Sequence, residues 1–301
     1  MNATDPFESQ RRFLFGLAYR MLGSVGDAED VVQDAWLRWR AADATAVEQP
    51  RAWLARVVTH LCIDLLRRRR RERCDYAGPW LPEPLVTTAA DEGPDAAHHV
   101  ALAESLSLGL LALLETLGPS ERATFVLREA FDMDYASIGA ILDAPPATCR
   151  QWFHRGRRRL AARGSDGKPR GASRAQLVRF LEALASGDAD RVAALLTAEV
   201  ELVSDGGGRV AAATRPLHGR RAVSRFLAGL AARADAAMRV VPARINGGWG
   251  FLVYRDAVLE TAAALSATDA AIAGLYFVRN PDKLARLQSA TASATQFAQD
   301  P

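Results

Sequence analysis

Apolar residues recur at helical spacing through the first quarter of the chain. Phe7, Leu14, Leu17, Ala18 and Met21 fall on one side of a segment over 7–23. Ser24 or Asp27 supplies the N-cap of a second helix over about 27–41. In it Val32, Trp36 and Trp39 share one face, while Asp27, Asp30 and Asp34 share another. Pro50 opens a third helix at its first turn, where a missing N–H costs nothing. Trp53, Val57, Leu61 and Leu65 predict its buried stripe, and it ends in RRRRRER.

The period is lost over 76–100, which holds four prolines and two glycines and reads as a linker. It returns in ALAESLSLGLLALLETL and in SERATFVLREAF, where Ser120 is the candidate cap. YASIGAILD, a turn at APPA and the basic ATCRQWFHRGRRRLAAR make two helices joined tightly, the pattern of a helix-turn-helix. GSDGKPRGA, 164–172, is a second linker. Beyond it the pattern predicts helices over 173–186, 188–196 and 219–234. Strand-like stretches occur in AEVELVSDGGG, GRVAAATRPLHG, MRVVPARING, WGFLVYRDAVLETAAAL and AAIAGLYFV. Helices first and an antiparallel sheet afterwards argue for an α+β class.

At 301 residues the chain has room for about two or three domains. With 49% apolar and 24% charged residues it is a folded protein rather than a disordered one. No apolar run approaches the roughly 20 residues that span a bilayer, and the N-terminus lacks a signal-peptide core, so a cytoplasmic location and no membrane partner are expected. Cys62, Cys74 and Cys149 lack metal spacing and read as reduced thiols; no metal or cofactor is expected. The formal charge of +3 conceals two basic clusters. Residues 51–75 hold eight arginines against three acids; 150–170 hold seven arginines and Lys168 against one acid. Only Lys168 and Lys283 are lysines. Two separated clusters fit two contacts with a polyanion or two solvated helix faces.

These residues carry a resemblance. Residues 7–73 resemble region 2 of an extracytoplasmic-function (ECF) sigma factor through LAYRMLGSVGDAEDVVQDAWLRW and PRAWLARVVTHLCIDLLRRRRR. Residues 105–163 are similar to its region 4 through LGPSERATFVLREAF and YASIGAILDAPPATCRQWFHRGRRRL. Residues 173–290 resemble a SnoaL-like domain of the NTF2-like fold, a cone of curved sheet and helices. A subgroup of ECF factors with such a fused domain carries WLPEP, DGGGK and NPDKL; this chain has WLPEP at 80–84, DGGGR at 205–209 and NPDKL at 280–284. The resemblance implies a multidomain protein with two all-α sigma domains, a region 2 bundle over 1–75 and a region 4 helix-turn-helix over 105–163. A linker over 76–104 joins them. A second linker over 164–172, the α+β cone over 173–290 and a tail over 291–301 complete the chain.

It further implies a factor that binds core RNA polymerase and promoter DNA, with region 2 at the −10 element and region 4 at the −35 element. Asp27, Asp30 and Asp34 would face polymerase, with apolar help from Trp36 or Trp39; Trp36 reads as core and Trp39 is open. Arg67, Arg68, Arg69, Arg70, Arg71 and Arg73 suit phosphate contact. His60, where the family often has Asn, either meets a base or is structural. In the last basic helix Thr148, Arg150, Gln151 and His154 would face base edges, and Arg155, Arg157, Arg158 and Arg159 the phosphates. Trp152, Phe153 and Leu160 would pack on Ile138 and Leu142. Gly139 stands where the family usually has alanine, and Ser137 where it often has glutamate.

Trp80, Leu81, Pro82, Glu83 and Pro84 make an odd tether, since prolines stiffen a strand into an extended form and Trp80 and Leu81 can then anchor it at low entropic cost. The stretch reads as a docking strap, or as a loop packed on its own domain. Asp205, Gly206, Gly207, Gly208 and Arg209, with Asn280, Pro281, Asp282, Lys283 and Leu284, would hold the cone in place. Regulation in cis would then replace a separate anti-sigma factor. The competing class is an isomerase- or cyclase-type enzyme, or a small-ligand binder, fused to a DNA-binding module. Its acid–base candidates are Asp205, His218, Tyr254 and Asp256, and WGFLVY with LYFV would wall either a core or a ligand pocket. A plain helix-turn-helix repressor leaves the first 75 residues without a role.

Overall fold

A computed structural model describes residues 6–42, 47–72, 76–87, 107–162 and 170–288. Arg73, Cys74, Lys168 and the tail lie outside the described residues. The chain divides into two compact units, one of residues 1–75 and 113–166, the other of 76–112 and 167–301.

In the first unit α1 (Pro6–Leu22), α2 (Val25–Ala41) and α3 (Pro50–Glu72) form a bundle. Phe7, Leu14, Leu17, Ala18 and Met21 are all buried in it. Ser24 caps α2, its hydroxyl accepting from the Asp27 amide at 3.3 Å. After α4 (Leu108–Leu114), most of which belongs to the second unit, the first unit continues with α5 (Pro119–Phe131), α6 (Tyr135–Leu142) and α7 (Pro146–Ala161).

Two local features differ from the sequence pattern. The deepest stripe of α3 is Leu54, Ala55, Val58, Cys62 and Leu66; Trp53, Val57, Leu61 and Leu65 are only half-buried. The helix packs against α1 and α2 and also against α5 and α6, so its apolar face is wider than one stripe. The cap of α5 is Gly118 rather than Ser120. Pro119 takes the first helical position, and the Glu121 carboxylate accepts from the Gly118 amide at 3.1 Å.

The second unit is a sheet with helices. Its strands are β1 (Val86–Thr87), β2 (Arg170–Gly171), β3 (Leu196–Asp205), β4 (Leu217–His218), β5 (Met238–Ile245), β6 (Gly248–Arg255), β7 (Val258–Ala267) and β8 (Ile272–Val278). They run in the order β1-β5-β6-β7-β8-β3-β4, with β2 paired to β7. The sheet is mixed, not wholly antiparallel as the sequence pattern suggested: β3 and β8 pair in parallel, Asp205 opposite Val278. These two strands lie far apart in sequence, and periodicity carries no information on the direction of such a pairing.

One cluster of side chains joins the sheet to α8 (Arg174–Ala185), α9 (Ala189–Ala194) and α10 (Arg220–Ala231). Leu177, Phe180, Val192, Val223, Leu227, Phe251 and Phe277 fill the space between. A second cluster contains Leu252, Tyr254, Ala264 and Tyr276 of the sheet, Leu81 of the linker, Leu108 of α4, and Leu284 of a helix over 281–288, α11. Tyr276 lies so close to α4 that a Cβ on Gly109 would come within 2.8 Å of its hydroxyl. The linker is therefore no tether over 76–87: it is part of the second unit.

Candidate nucleic-acid and docking surfaces

The helix-turn-helix is built by α6 and α7. Asp134 caps α6 by accepting from the Ser137 amide at 2.7 Å, and Asp143 ends it in the left-handed region at φ 52°. The turn is tight, and a Cβ on Gly139 would meet the Ala144 carbonyl oxygen at 2.5 Å. An alanine at 139 would force α6 away from that carbonyl. Cys149, Phe153, Gly156 and Leu160 bury one side of α7, with Phe153 against Phe125 at 5.9 Å. Trp152 and Leu142 are half-buried, so the packing expected of them is partial. Arg150, Gln151, His154, Arg155, Arg157 and Arg158 are exposed, and Thr148 is half-buried.

Not all of these arginines stand alone. Arg155 and Arg159 pair with Glu121 of α5 at 3.1 and 2.5 Å, and Arg150 lies 5.4 Å from the Tyr135 ring centre. Arg157 lies 6.0 Å from that of Phe153. Arg158 makes no ion pair among the described residues. A similar split holds at the end of α3, where Arg68, Arg70 and Arg71 are exposed without an ion pair among the described residues. Arg67 pairs with Asp64 at 3.4 Å, and Arg69 pairs with Asp27 and donates to the Leu22 carbonyl. Arg69 and Asp27 thus brace α3 to the start of α2.

On α2 the core residue is Trp39, whose role the sequence left open, and not Trp36, which it favoured for the core. Trp39 is buried beside Trp53 at 5.7 Å, while Trp36 is half-buried with Arg40 over its ring. Asp30 and Asp34 are exposed, as is Leu37. The outward surface therefore combines Asp30, Asp34, Trp36 and Leu37. His60 lies 2.8 Å from the Ile141 carbonyl of α6 and 3.5 Å from the Asp143 carboxylate.

In the second unit the three motifs converge on one carboxylate. Asp205 is fully buried. Its Oδ1 accepts from the Tyr76 hydroxyl at 2.6 Å and the Gly207 amide at 3.0 Å; its Oδ2 accepts from the Leu81 amide at 2.8 Å and Lys283 Nζ at 2.6 Å. Lys283 also donates to the Leu81 carbonyl and sits 4.0 Å from the Trp80 ring centre. Asn280 donates to the Tyr76 hydroxyl at 3.2 Å and opens α11 by accepting from the Asp282 amide at 3.0 Å. Arg209 pairs with Asp282 at 3.2 Å, so its charge is used. Gly207, at φ 62°, passes Asn280 so closely that a Cβ would stand 2.4 Å from Nδ2. Leu81, Pro82, Glu83 and Pro84 are buried, Glu83 lies 3.9 Å from Arg286, and Leu284 joins the cluster beneath Leu81. Pro281 starts α11 where no N–H is needed.

The strap continues as a strand. Val86 and Thr87 pair with Ile245 and Arg244. Asn246, buried and at φ 47°, accepts from the Leu85 amide through Oδ1 at 3.0 Å and donates its own amide to the Leu85 carbonyl at 2.8 Å. Sequence reasoning missed Tyr76, Leu85 and Asn246. For Asn246 a signal existed: Asn-Gly is the strongest short hairpin dipeptide, and it turns β5 into β6 here. Nothing near Tyr76 marks it.

The acid–base candidates do not converge. Asp205 is engaged by the strap, the Gly207 amide and Lys283; Tyr254 belongs to the cluster beneath the strap, with Arg239 over its ring; His218 and Asp256 are exposed, on β4 and in a turn. The space enclosed by α8, α9 and α10 is occupied by Phe180, Phe251, Phe277 and their neighbours. No helix among the described residues is long and apolar enough to cross a membrane.

Residues 7–72 match the Sigma-70 region 2 family and residues 107–160 the Sigma-70 region 4 family. The ECF RNA polymerase sigma factor SigJ of Mycobacterium tuberculosis is 36% identical over 92% of this chain and 91% of its own length. The probable ECF sigma factor SigI of the same species is 36% identical over 65% of this chain and 69% of its own. The crystal structure of SigJ superposes with a TM-score of 0.75 at 33% identity, covering 93% of this chain and 97% of that one.

Proposed function

The chain belongs to the ECF sigma factors, binding core RNA polymerase and directing promoter-specific initiation, and we propose that its strap and NTF2-like domain regulate that activity in cis. The observation that carries the reading is Asp205. Its four hydrogen bonds tie Tyr76 and Leu81 of the strap to the DGGGR loop and Lys283. In the family this linker threads toward the polymerase active-site channel. A segment bound to the sheet through Leu81, Leu85 and β1 cannot occupy that channel as well. The domain withholds the strap until it is released, and no separate anti-sigma factor is needed.

The remaining roles follow the surfaces. Asp30 and Asp34, with Trp36 and Leu37, dock on polymerase. Arg68, Arg70 and Arg71 of α3 follow the −10 phosphates, and Arg150, Gln151 and His154 of α7 face base edges at −35. The C-terminal domain is a binding module rather than a catalyst, since its polar groups are spread over the sheet or consumed by the strap. The protein works in the cytoplasm, where polymerase is.

In vitro transcription with purified core polymerase tests the regulatory reading. Asp205→Ala and Lys283→Ala are expected to raise promoter-dependent transcription. Truncation after residue 170 is expected to change activity or core binding. Unaltered activity and core affinity in all three would overturn it.

A further inference from the structure

Tyr135 is the first residue of α6, and its half-buried ring sits where α5, α6 and α7 come together. Asp134 caps the helix just before it, accepting from the Ser137 amide at 2.7 Å, so the backbone that carries the ring is fixed. Phe153 of α7 stands edge-on to the ring at 6.1 Å and stacks in turn on Phe125 of α5 at 5.9 Å. The Arg128 guanidinium of α5 lies over the same ring, 5.4 Å from its centre. A ring held from three helices has little freedom to turn.

Arg150 of α7 lies over this ring as well, also at 5.4 Å. The two arginines differ in what else they do. Arg128 donates from Nη1 to the Met133 carbonyl at 2.8 Å and has the Asp132 carboxylate at 3.8 Å. Arg150 is exposed and makes no hydrogen bond or ion pair among the described residues. Its five N–H donors are uncommitted there, and the aromatic contact is what limits its swing. Stacking on an aromatic face restrains a guanidinium without using its donors.

Arg150 belongs to the first half of α7, the half that a recognition helix presents to base edges. Bidentate reading of guanine needs two N–H groups aimed at O6 and N7 at once. Phosphate contact tolerates many geometries, so a swinging arginine serves it equally well. Restraint of the fork therefore matters for choosing a base and little for overall attraction. We propose that Tyr135 is a positioning residue for promoter choice, holding Arg150 as a fixed fork that reads one guanine of the −35 element. The ring acts through Arg150 and not on the base. This rests on the reading of α7 as the −35 helix with Arg150 at base edges, and adds to it the base and the residue behind the arginine.

Selection from a promoter library tests it. Duplexes randomised across the −35 element are bound by the full chain assembled with core polymerase, then recovered and sequenced. The parent is expected to enrich guanine at one position that Arg150→Ala renders indifferent. Tyr135→Leu should lower the guanine preference at that same position about two- to fivefold, the range of an exposed cation–π contact, and leave the other positions unchanged. Tyr135→Phe, which keeps the ring face, should retain the preference. In the Arg150→Ala background Tyr135→Leu should have no further effect there. Affinity for a non-specific duplex, and its slope against log salt, should be the same in the parent, Tyr135→Leu and Tyr135→Phe. Thermal melts confirm that each variant is folded. A ring that only packs region 4 would, on removal, weaken selection at every position alike; that result overturns the proposal. So does an unaltered preference in Tyr135→Leu, or a base other than guanine at the position Arg150 governs. A library recovered without any −35 preference overturns the reading of α7 itself, and the proposal with it.

Discussion

Asp205 shows how much one buried carboxylate can organise. An ionised carboxylate out of water is tolerated only when every lone pair is used and a counter-charge is near. Here Tyr76, Leu81, Gly207 and Lys283 meet both conditions. Removing one partner strands the other, so Asp205→Ala is expected to destabilise the second unit by about 3 kcal/mol, and Lys283→Ala by a similar amount. Chemical denaturation followed by tryptophan fluorescence measures both. Gly139 makes the opposite case, where what matters is an atom that is absent. Gly139→Ala is expected to cost about 1–3 kcal/mol by driving α6 from the Ala144 carbonyl, read as a lowered melting temperature. Cys62 is equally inert by position. Full burial pushes its thiol well above the ordinary range, so little thiolate forms at pH 8. Iodoacetamide should leave Cys62 unmodified in the native protein and label it after denaturation, as mass spectrometry of the peptide will show.

Among the elements, helices were legible and partners were not. The periods of α1, α2, α6, α7, α8 and α10 lie openly in the sequence, and the cap Ser24 and the first-turn Pro50 mark two starts. The parallel pairing of β3 with β8 was hidden, because register between distant strands leaves no local trace. The buried stripe of α3 was misplaced for a related reason: a helix packed on two sides has no single apolar face. Trp36 and Trp39 sit three positions apart on α2, near enough that spacing alone could not say which one the bundle would take. WLPEP was legible as something more than a spacer, but its receptor was only half so. DGGGR and NPDKL were named; the second grip at Asn246 was not. Asn246→Ala should leave Asp205 in place yet loosen β1. Hydrogen exchange at the Leu85 amide is expected to rise at least tenfold while exchange in β7 stays unchanged.

For the molecule as a whole, charge decides how it meets DNA. Eight arginines over 51–75 look like one phosphate-binding run, but Arg56 and Arg69 are already engaged with Asp143 and Asp27. Arg68, Arg70 and Arg71, exposed and without an ion pair among the described residues, are the ones proposed for phosphates. Replacing each by alanine in the holoenzyme should lower the slope of log affinity against log salt by about one, whereas Arg155→Ala should move it less. A filter-binding series from low to high salt separates the two. Ion pairing of this kind cannot be read from a count of arginines, since it depends on which carboxylates the fold brings alongside.

Because β3 and β8 lie side by side and point the same way, the loop after one and the helix after the other leave the sheet at a common end. Their lengths are therefore tied together. An insertion of one residue in β3 would turn Asp205 to the opposite face, one in β8 would displace the start of α11 and Lys283 with it, and descendants of this chain can lengthen those strands only in concert.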